Sequence, residues 1–213
     1  MDWDWEQFYR NADYDRCVYL AGEEMADLLA RFFEREARGG GDTFPEDVAS
    51  VGCGPAVTLF DLAERFPRTE FYGYDVSETV IEDNQKKATD QPNLHFEVDA
   101  LPSLDIDRTF DVVYCVATLF FVADPEEALE SLFDRVRDGG SLVVNYPNDE
   151  LRKAADSFEG RKREAFELVR NGQNVLTETD VSRGIGTEVR DYWKAVDAEE
   201  LAKDQWPTVY AKK

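Results

Sequence analysis

Asp47 to Leu59 reads D-V-A-S-V-G-C-G-P-A-V-T-L, a short apolar run that breaks at a glycine turn and opens into a helical pattern. Strand, glycine turn and helix in that order form the corner of a βα unit at which an α/β sheet faces a nucleotide. Gly52 and Gly54 carry no Cβ, so the backbone can turn sharply and approach a ligand, and Pro55 suits the first turn of the following helix. A dinucleotide-binding G-x-G-x-x-G needs a third glycine at position 57, where the chain has Val57. The spacing G-x-G-x-G instead reads Gly52, Gly54 and Ala56, with the smallest side chain in the last place.

Outward from this corner, apolar runs alternate with amphipathic stretches from residue 48 to 146, the pattern of a mostly parallel sheet covered by helices. Strands are predicted at Val48 to Val51, Glu70 to Tyr74, Asn93 to Val98, Phe110 to Cys115 and Ser141 to Tyr146. Helices are predicted at Pro55 to Phe66, at Glu78 to Thr89 with Ser77 as N-cap, and from Asp124-Pro125 to about Arg137, stopped by Gly139-Gly140. Before this block, Tyr14 to Arg38 reads as one long helix closed by Gly39-Gly40-Gly41. After it, Asn148 to about Asn171 reads as a polar amphipathic helix and Thr177 to Ile185 as a shorter one. Trp206 to Ala211 reads as a closing antiparallel strand, with Val189 to Val196 the best candidate for its partner. The expected fold is a three-layer α/β sandwich around a seven-stranded, mostly parallel sheet with a C-terminal antiparallel strand.

At 213 residues the chain suits one domain, divided into an N-terminal helical or lid segment (1–41), a ligand-binding core (42–147) and C-terminal helices with closing strands (148–213). No stretch approaches the roughly 20 apolar residues of a membrane span, and M-D-W-D-W-E is no signal peptide, so a cytoplasmic protein is expected. Cys17, Cys53 and Cys115 are odd in number and far apart, which supports buried thiols over disulfides or a metal site. The net charge of −22 comes from acids spread along the whole chain. That distribution resembles proteins of salt-loving archaea, in which molar salt cuts the Debye length to about 3 Å and self-repulsion is tolerated. An acidic surface that docks a basic partner is the rival reading. No basic patch is present to neutralise phosphates, which disfavours nucleic acid as a substrate.

In an open α/β sheet the ligand lies beyond the carboxyl ends of the strands. Asp75 closes the second strand, 21 residues after Gly54, where a carboxylate can accept both hydroxyls of a ribose, as in either a dinucleotide site or another nucleoside site; its bland alternative is a helix-capping acid. Asp99 follows the third strand in H-F-E-V-D-A-L, where a carboxylate and adjacent amides can bind an adenine amino group. The glycine turn, Asp75, Asp99-Ala100-Leu101, the strand F-D-V-V-Y-C and R-V-R-D-G-G-S-L-V-V resemble, in order and spacing over residues 48 to 146, the class I S-adenosylmethionine (SAM) dependent methyltransferases. The resemblance implies a Rossmann-like fold and SAM as cofactor, bound by Gly52, Cys53, Gly54, Ala56, Asp75, Val76, Asp99, Ala100, Leu101 and backbone near Cys115. It also implies transfer of a methyl group to an acceptor, which chain size and the missing basic surface make a small molecule.

Ser50 departs from that family, many members of which carry an acid there to orient the methionine ammonium. Ala56 is a milder departure. In-line methyl transfer can be driven by positioning and exclusion of water, so no fixed catalytic residue is required, and none is assigned. His95 lies within a strand and reads as structural, as does Asp111 at the start of the fourth strand. The N-P-P-Y-type segment of amino-nitrogen methylating members is absent after the fourth strand, where the chain has Val116-Ala117-Thr118-Leu119. Asn145-Tyr146-Pro147-Asn148, which follows the fifth strand, reads as a turn in a position to touch the acceptor. Trp3, Trp5, Phe8, Tyr9 and Tyr14 are read equally as a lid over the cofactor or as plain packing, and Trp193 and Trp206 invite the same two readings. Two rivals stay open: a nicotinamide-binding oxidoreductase, and a SAM-binding protein without turnover.

Overall fold

A computed structural model describes residues 4–11, 19–20, 23–38 and 44–213. Alternation along Asp47–Val51 (β1) sends Val48 to one face of the sheet and Ala49 and Val51 to the other, so the strand is buried on both sides. The remaining strands of the sheet are β2 (Glu70–Asp75), β3 (Leu94–Val98), β4 (Phe110–Cys115), β5 (Val136–Asn145), β6 (Arg190–Asp191) and β7 (Thr208–Lys212). Their order is β3-β2-β1-β4-β5-β7-β6, with β1 to β5 parallel and β7 antiparallel to both of its neighbours. The chain moves outward through β1, β2 and β3, then returns to place β4 against the other side of β1. That reversal opens a crevice at the carboxyl ends of β1 and β4.

The helices are α1 (Trp5–Asn11), α2 (Met25–Arg38), α3 (Val57–Arg65), α4 (Glu78–Lys87), α5 (Pro125–Asp134), α6 (Asp149–Ala155), α7 (Gly160–Ala165), α8 (Glu167–Arg170), α9 (Glu178–Ile185) and α10 (Tyr192–Ala195). Leu28, Leu29, Phe32 and Phe33 of α2 pack on one face with Leu59 and Leu62 of α3, Val80 and Ile81 of α4, and Tyr192 and Trp193 of α10. Ala128, Leu129 and Leu132 of α5 and Val181 and Ile185 of α9 cover the other face. Each fully buried large side chain contributes roughly 1.5–3 kcal/mol. Asp124 caps α5 by accepting the Glu127 N–H at 3.1 Å, with Pro125 in the first turn, and Thr177 with Asp180 forms a capping box on α9.

Several expectations are corrected. The long N-terminal helix starts at Met25 rather than Tyr14, after a short strand pair, Tyr19–Leu20 with Glu23–Glu24; residues 12–18 lie outside the described residues, as does Gly39-Gly40-Gly41. The helix after the glycine turn starts at Val57, because Ala56 takes left-handed backbone (φ 55°) and Pro55 belongs to the turn. Gly139-Gly140 does not stop α5, which ends at Asp134 with Arg135 as its C-cap. Both glycines lie in β5 at an irregularity of its pairing with β4, where a Cβ on Gly140 would sit 2.7 Å from the Asp111 carbonyl oxygen. The stretch 148–171 is broken into α6, α7 and α8, with Gly160 at φ 54°. In Val189 to Val196 only Arg190–Asp191 is strand, and β7 pairs mainly with β5.

Candidate functional site

The turn after β1 is held by the end of β2. The Gly52 and Cys53 N–H groups both donate to the Tyr74 carbonyl, at 2.8 and 2.9 Å, and the Gly54 N–H donates to Asp75 Oδ2 at 2.9 Å. The other carboxylate oxygen of Asp75 accepts the Ser77 N–H at 3.0 Å. Burial raises the Asp75 pKa, and these amide hydrogen bonds oppose that rise. Each oxygen thus has one protein donor and a lone pair to spare. Asn84, fully buried on α4, donates to the Gly54 carbonyl at 2.7 Å while its Oδ1 has no partner. Asn84 was not singled out from the sequence, although an amide on the same helix face as Val80 and Ile81 was the available signal.

Gly52 has φ 72°, and a Cβ there would lie 2.2 Å from Thr118 Oγ1. The glycine turn and the loop after β4 are therefore interlocked. In that loop Ala117 is left-handed (φ 59°) and donates its N–H to Asn145 Oδ1 at 2.8 Å, whereas Asn145 Nδ2 is buried without a partner. Asn174 Nδ2 holds the same loop by donating to the carbonyls of Leu119, Phe120 and Val122 at 3.1, 2.9 and 3.1 Å. Thr118, Asn145 and Asn174 carry no spacing motif, because they hold backbone groups 28 to 66 residues away.

Asp99 folds back onto its own loop, with Oδ1 accepting the Ala100 N–H at 2.7 Å and Oδ2 the Asp105 N–H at 3.0 Å, while its own N–H donates to the Asp75 carbonyl at 3.1 Å. Asp75, Asp99, Ala100 and the glycine turn are thus brought to one edge. Leu101 is half-buried and packs against the core face that carries α5 and α9. Val57, Val76 and Val98 are exposed by 42%, 50% and 49%, and all three lie just beyond or at the carboxyl ends of β1, β2 and β3. Cys53 is partly buried, and desolvation with the Asp75 charge pushes its thiol up. Cys115 is fully buried with its thiol pushed up to about 12, so only its backbone belongs to this edge. Ala56 is also buried, and its methyl packs into the core.

Helix α1 lies across this edge. The Thr79 N–H and hydroxyl donate to Glu6 at 3.2 and 2.5 Å, the Tyr9 hydroxyl lies 3.0 Å from where a Gly54 Cβ would stand, and the Trp5 and Phe121 rings are 4.8 Å apart. The helix spans from the start of α4 to the loop after β4. Trp3 and Tyr14 lie outside the described residues. Trp206 packs edge-on against Phe120 at 5.1 Å, and Trp193 is buried in the core. Ser50 faces into the sheet layer and hydrogen-bonds Tyr114, its register partner on β4. At the opposite edge Asp111 accepts the Glu46 and Asp47 N–H groups at 2.7 and 3.0 Å and pairs with Arg137 at 3.1 Å. His95 pairs with Glu70 at 2.8 Å, away from the crevice.

Residues 49–142 match the family model of a methyltransferase domain. The trans-aconitate 2-methyltransferase of Streptomyces coelicolor is 27% identical over 98% of this chain and 64% of its own length. The malonyl-[acyl-carrier protein] O-methyltransferase 1 of Ilyobacter polytropus is 24% identical over 72% of this chain and 57% of its own. The trans-aconitate 2-methyltransferase of Deinococcus radiodurans is 33% identical over 47% and 37%. The chain therefore spans about two thirds or less of the length of these three relatives. The crystal structure of the plantazolicin methyltransferase BpumL with a desmethylPZN analog and SAH superposes with a TM-score of 0.63 at 13% identity, over 87% of this chain and 82% of that one. The fold is the Rossmann-like methyltransferase fold.

Proposed function

We propose that the chain binds SAM at the carboxyl edge of β1 to β4 and transfers its methyl group to a small-molecule acceptor. The observation that carries this reading is that Asp75, with a spare lone pair on each oxygen, and Asp99, whose N–H donates to the Asp75 carbonyl, stand at one edge with the glycine turn and the exposed Val76 and Val98. Asp75 uses its remaining lone pairs for the ribose hydroxyls, and Asp99 with the Ala100 to Leu101 backbone faces the adenine. Gly52, Cys53 and Gly54 present bare backbone to the rest. When bound, SAM supplies an electrophilic methyl on a sulfonium. The protein positions and desolvates: α1, with Tyr9 over Gly54, excludes water, and the loop of Ala117 and Thr118, pinned by Asn145 and Asn174, fixes the acceptor side. This favours the lid reading of the N-terminal aromatic residues.

SAM binding without turnover is a second reading, favoured by the Ser50 hydroxyl bonding Tyr114 in place of an acid free to hold an ammonium. The charge of −22 supports a cytoplasmic protein adapted to molar salt. Among the described residues no helix is long and apolar enough to cross a membrane.

Calorimetric titration in molar KCl with SAM, S-adenosylhomocysteine (SAH) and NAD tests the assignment. SAM and SAH are expected to bind, and to bind about 10- to 100-fold more weakly to Asp75→Ala, the worth of lost hydrogen bonds to a charged acceptor. NAD binding in place of SAM by the folded protein would overturn it. Incubation of labelled SAM with candidate acceptors then separates transfer from binding alone.

A further inference from the structure

A second recess opens at the carboxyl edge of the sheet, where β5 ends, β7 begins and α9 and α10 start, with a volume of about 530 Å³. Tyr146, Glu178, Asp191, Trp193 and Asp204 are among its lining residues. Tyr146 follows directly on Asn145, whose carboxamide accepts the Ala117 N–H, so the recess adjoins the anchor of the loop after β4.

Its unfilled hydrogen-bonding capacity is specific. Asp191 spends one oxygen on the Lys194 N–H at 3.1 Å, and Glu150 at the margin is paired with Lys153. The carboxylates of Glu178 and Asp204 have no hydrogen-bond or ion-pair partner among the described residues, and Lys203 is the one cation among the lining residues described. Tyr146 is 4% exposed, and its hydroxyl has neither a partner nor complete burial, so it opens into the recess. Burial and the nearby Glu178 charge push its pKa up to about 12, so it stays a neutral phenol. Trp193 is 3% exposed with Nε1 unpartnered. The set combines carboxylates that want N⁺–H donors with one neutral donor, the Tyr146 hydroxyl, that wants an oxygen acceptor, while the buried Trp193 indole borders them.

We infer that this recess is the acceptor subsite and that it takes a small molecule carrying a cationic amine and a neutral oxygen acceptor, and not a polycarboxylate. The inference rests on the proposed methyl transfer. A polyanion such as trans-aconitate would meet Glu178, Asp191 and Asp204 with Lys203 as its one counter-charge among the described lining residues, and like charges at that range repel.

The test uses two probes matched in size, tyramine and 3-(4-hydroxyphenyl)propionate. Each is titrated into the full chain with saturating SAH, in the lowest KCl that keeps it folded. The readout is the Trp193 indole N–H resonance, assigned with Trp193→Phe. Tyramine is expected to shift that resonance and the carboxylate to leave it in place. Glu178→Gln and Asp204→Asn are each expected to weaken tyramine about two- to five-fold, as for a partly exposed ion pair, with SAH affinity unchanged. A shift by the carboxylate equal to that by tyramine, or no shift by either, overturns the inference. SAH binding is read separately: its absence with tyramine still bound would remove the methyltransferase reading and leave the amine site.

Discussion

Gly52→Ala is the perturbation that most directly probes the interlocked loops. Alanine at φ 72° costs about 1–2 kcal/mol of backbone strain. Its Cβ would also stand 2.2, 2.5 and 2.8 Å from Oγ1, Cγ2 and Cβ of Thr118. Rotation of Thr118 relieves the first two contacts but not the third, so the loop itself must move. It is pinned through Ala117 to Asn145 and through three carbonyls to Asn174, so overpacking of about 1–3 kcal/mol is expected. The sum, about 2–5 kcal/mol, lowers Tm by roughly 5–15 °C for a chain of this size. Two variants divide the sum. Gly139→Ala, at φ 83° with nothing within 4 Å of the new Cβ, reports strain alone. Thr118→Gly as a background for Gly52→Ala removes all three contacts, the Cβ one included, and should recover most of the steric part. Thermal unfolding at fixed KCl and SAH titration read the series. A Gly52→Ala protein within about 2 °C of wild type, or one that Thr118→Gly does not rescue, would refute the reasoning.

Asn174→Leu strands three loop carbonyls and should cost about 2–4 kcal/mol, measured by urea unfolding. The Asp75 pKa is raised by burial, so its contribution to stability is present at low pH and lost as pH rises through the raised value. From about pH 4 upward, wild type should therefore lose stability relative to Asp75→Asn, and a flat difference between their Tm profiles would contradict this. With a net charge of −22, Tm should climb with KCl as repulsion is screened, and full stability in dilute buffer would remove the salt-adaptation argument.

The parallel core was legible because β1 to β4 are apolar runs of strand length bounded by glycine, proline and acids, and each falls within one residue of its expected bounds. Asp75 and Asp99 were legible because a carboxylate just past a strand in an open sheet has few other uses. What failed was local. Gly139-Gly140 has the composition of a helix stop but serves close backbone approach inside β5, a tertiary contact invisible in the sequence. Within 148–171 the first helix ends at Ala155, and Gly160, with left-handed φ, opens the next one where periodicity alone would run straight through. Ala56 stands where the family pattern has its third glycine. The methyl points into the core, and the cost falls on the backbone, which keeps the positive φ that a third glycine would have adopted freely.

The placement of α1 bears on the order of events in turnover. It is fastened to Thr79 on one side and packed on Phe121 on the other, across the edge proposed for the cofactor. The contacts of α1 described above run to α4, the glycine turn and the loop after β4, whereas the recess is lined from Tyr146 just past β5 and from β6, β7 and α9. If the cofactor lies beneath α1 as proposed, acceptor and methylated product can exchange while the helix stays down, whereas SAH leaves only after it lifts. SAM would then enter first and SAH leave last, so that SAH inhibits competitively with SAM and noncompetitively with the acceptor.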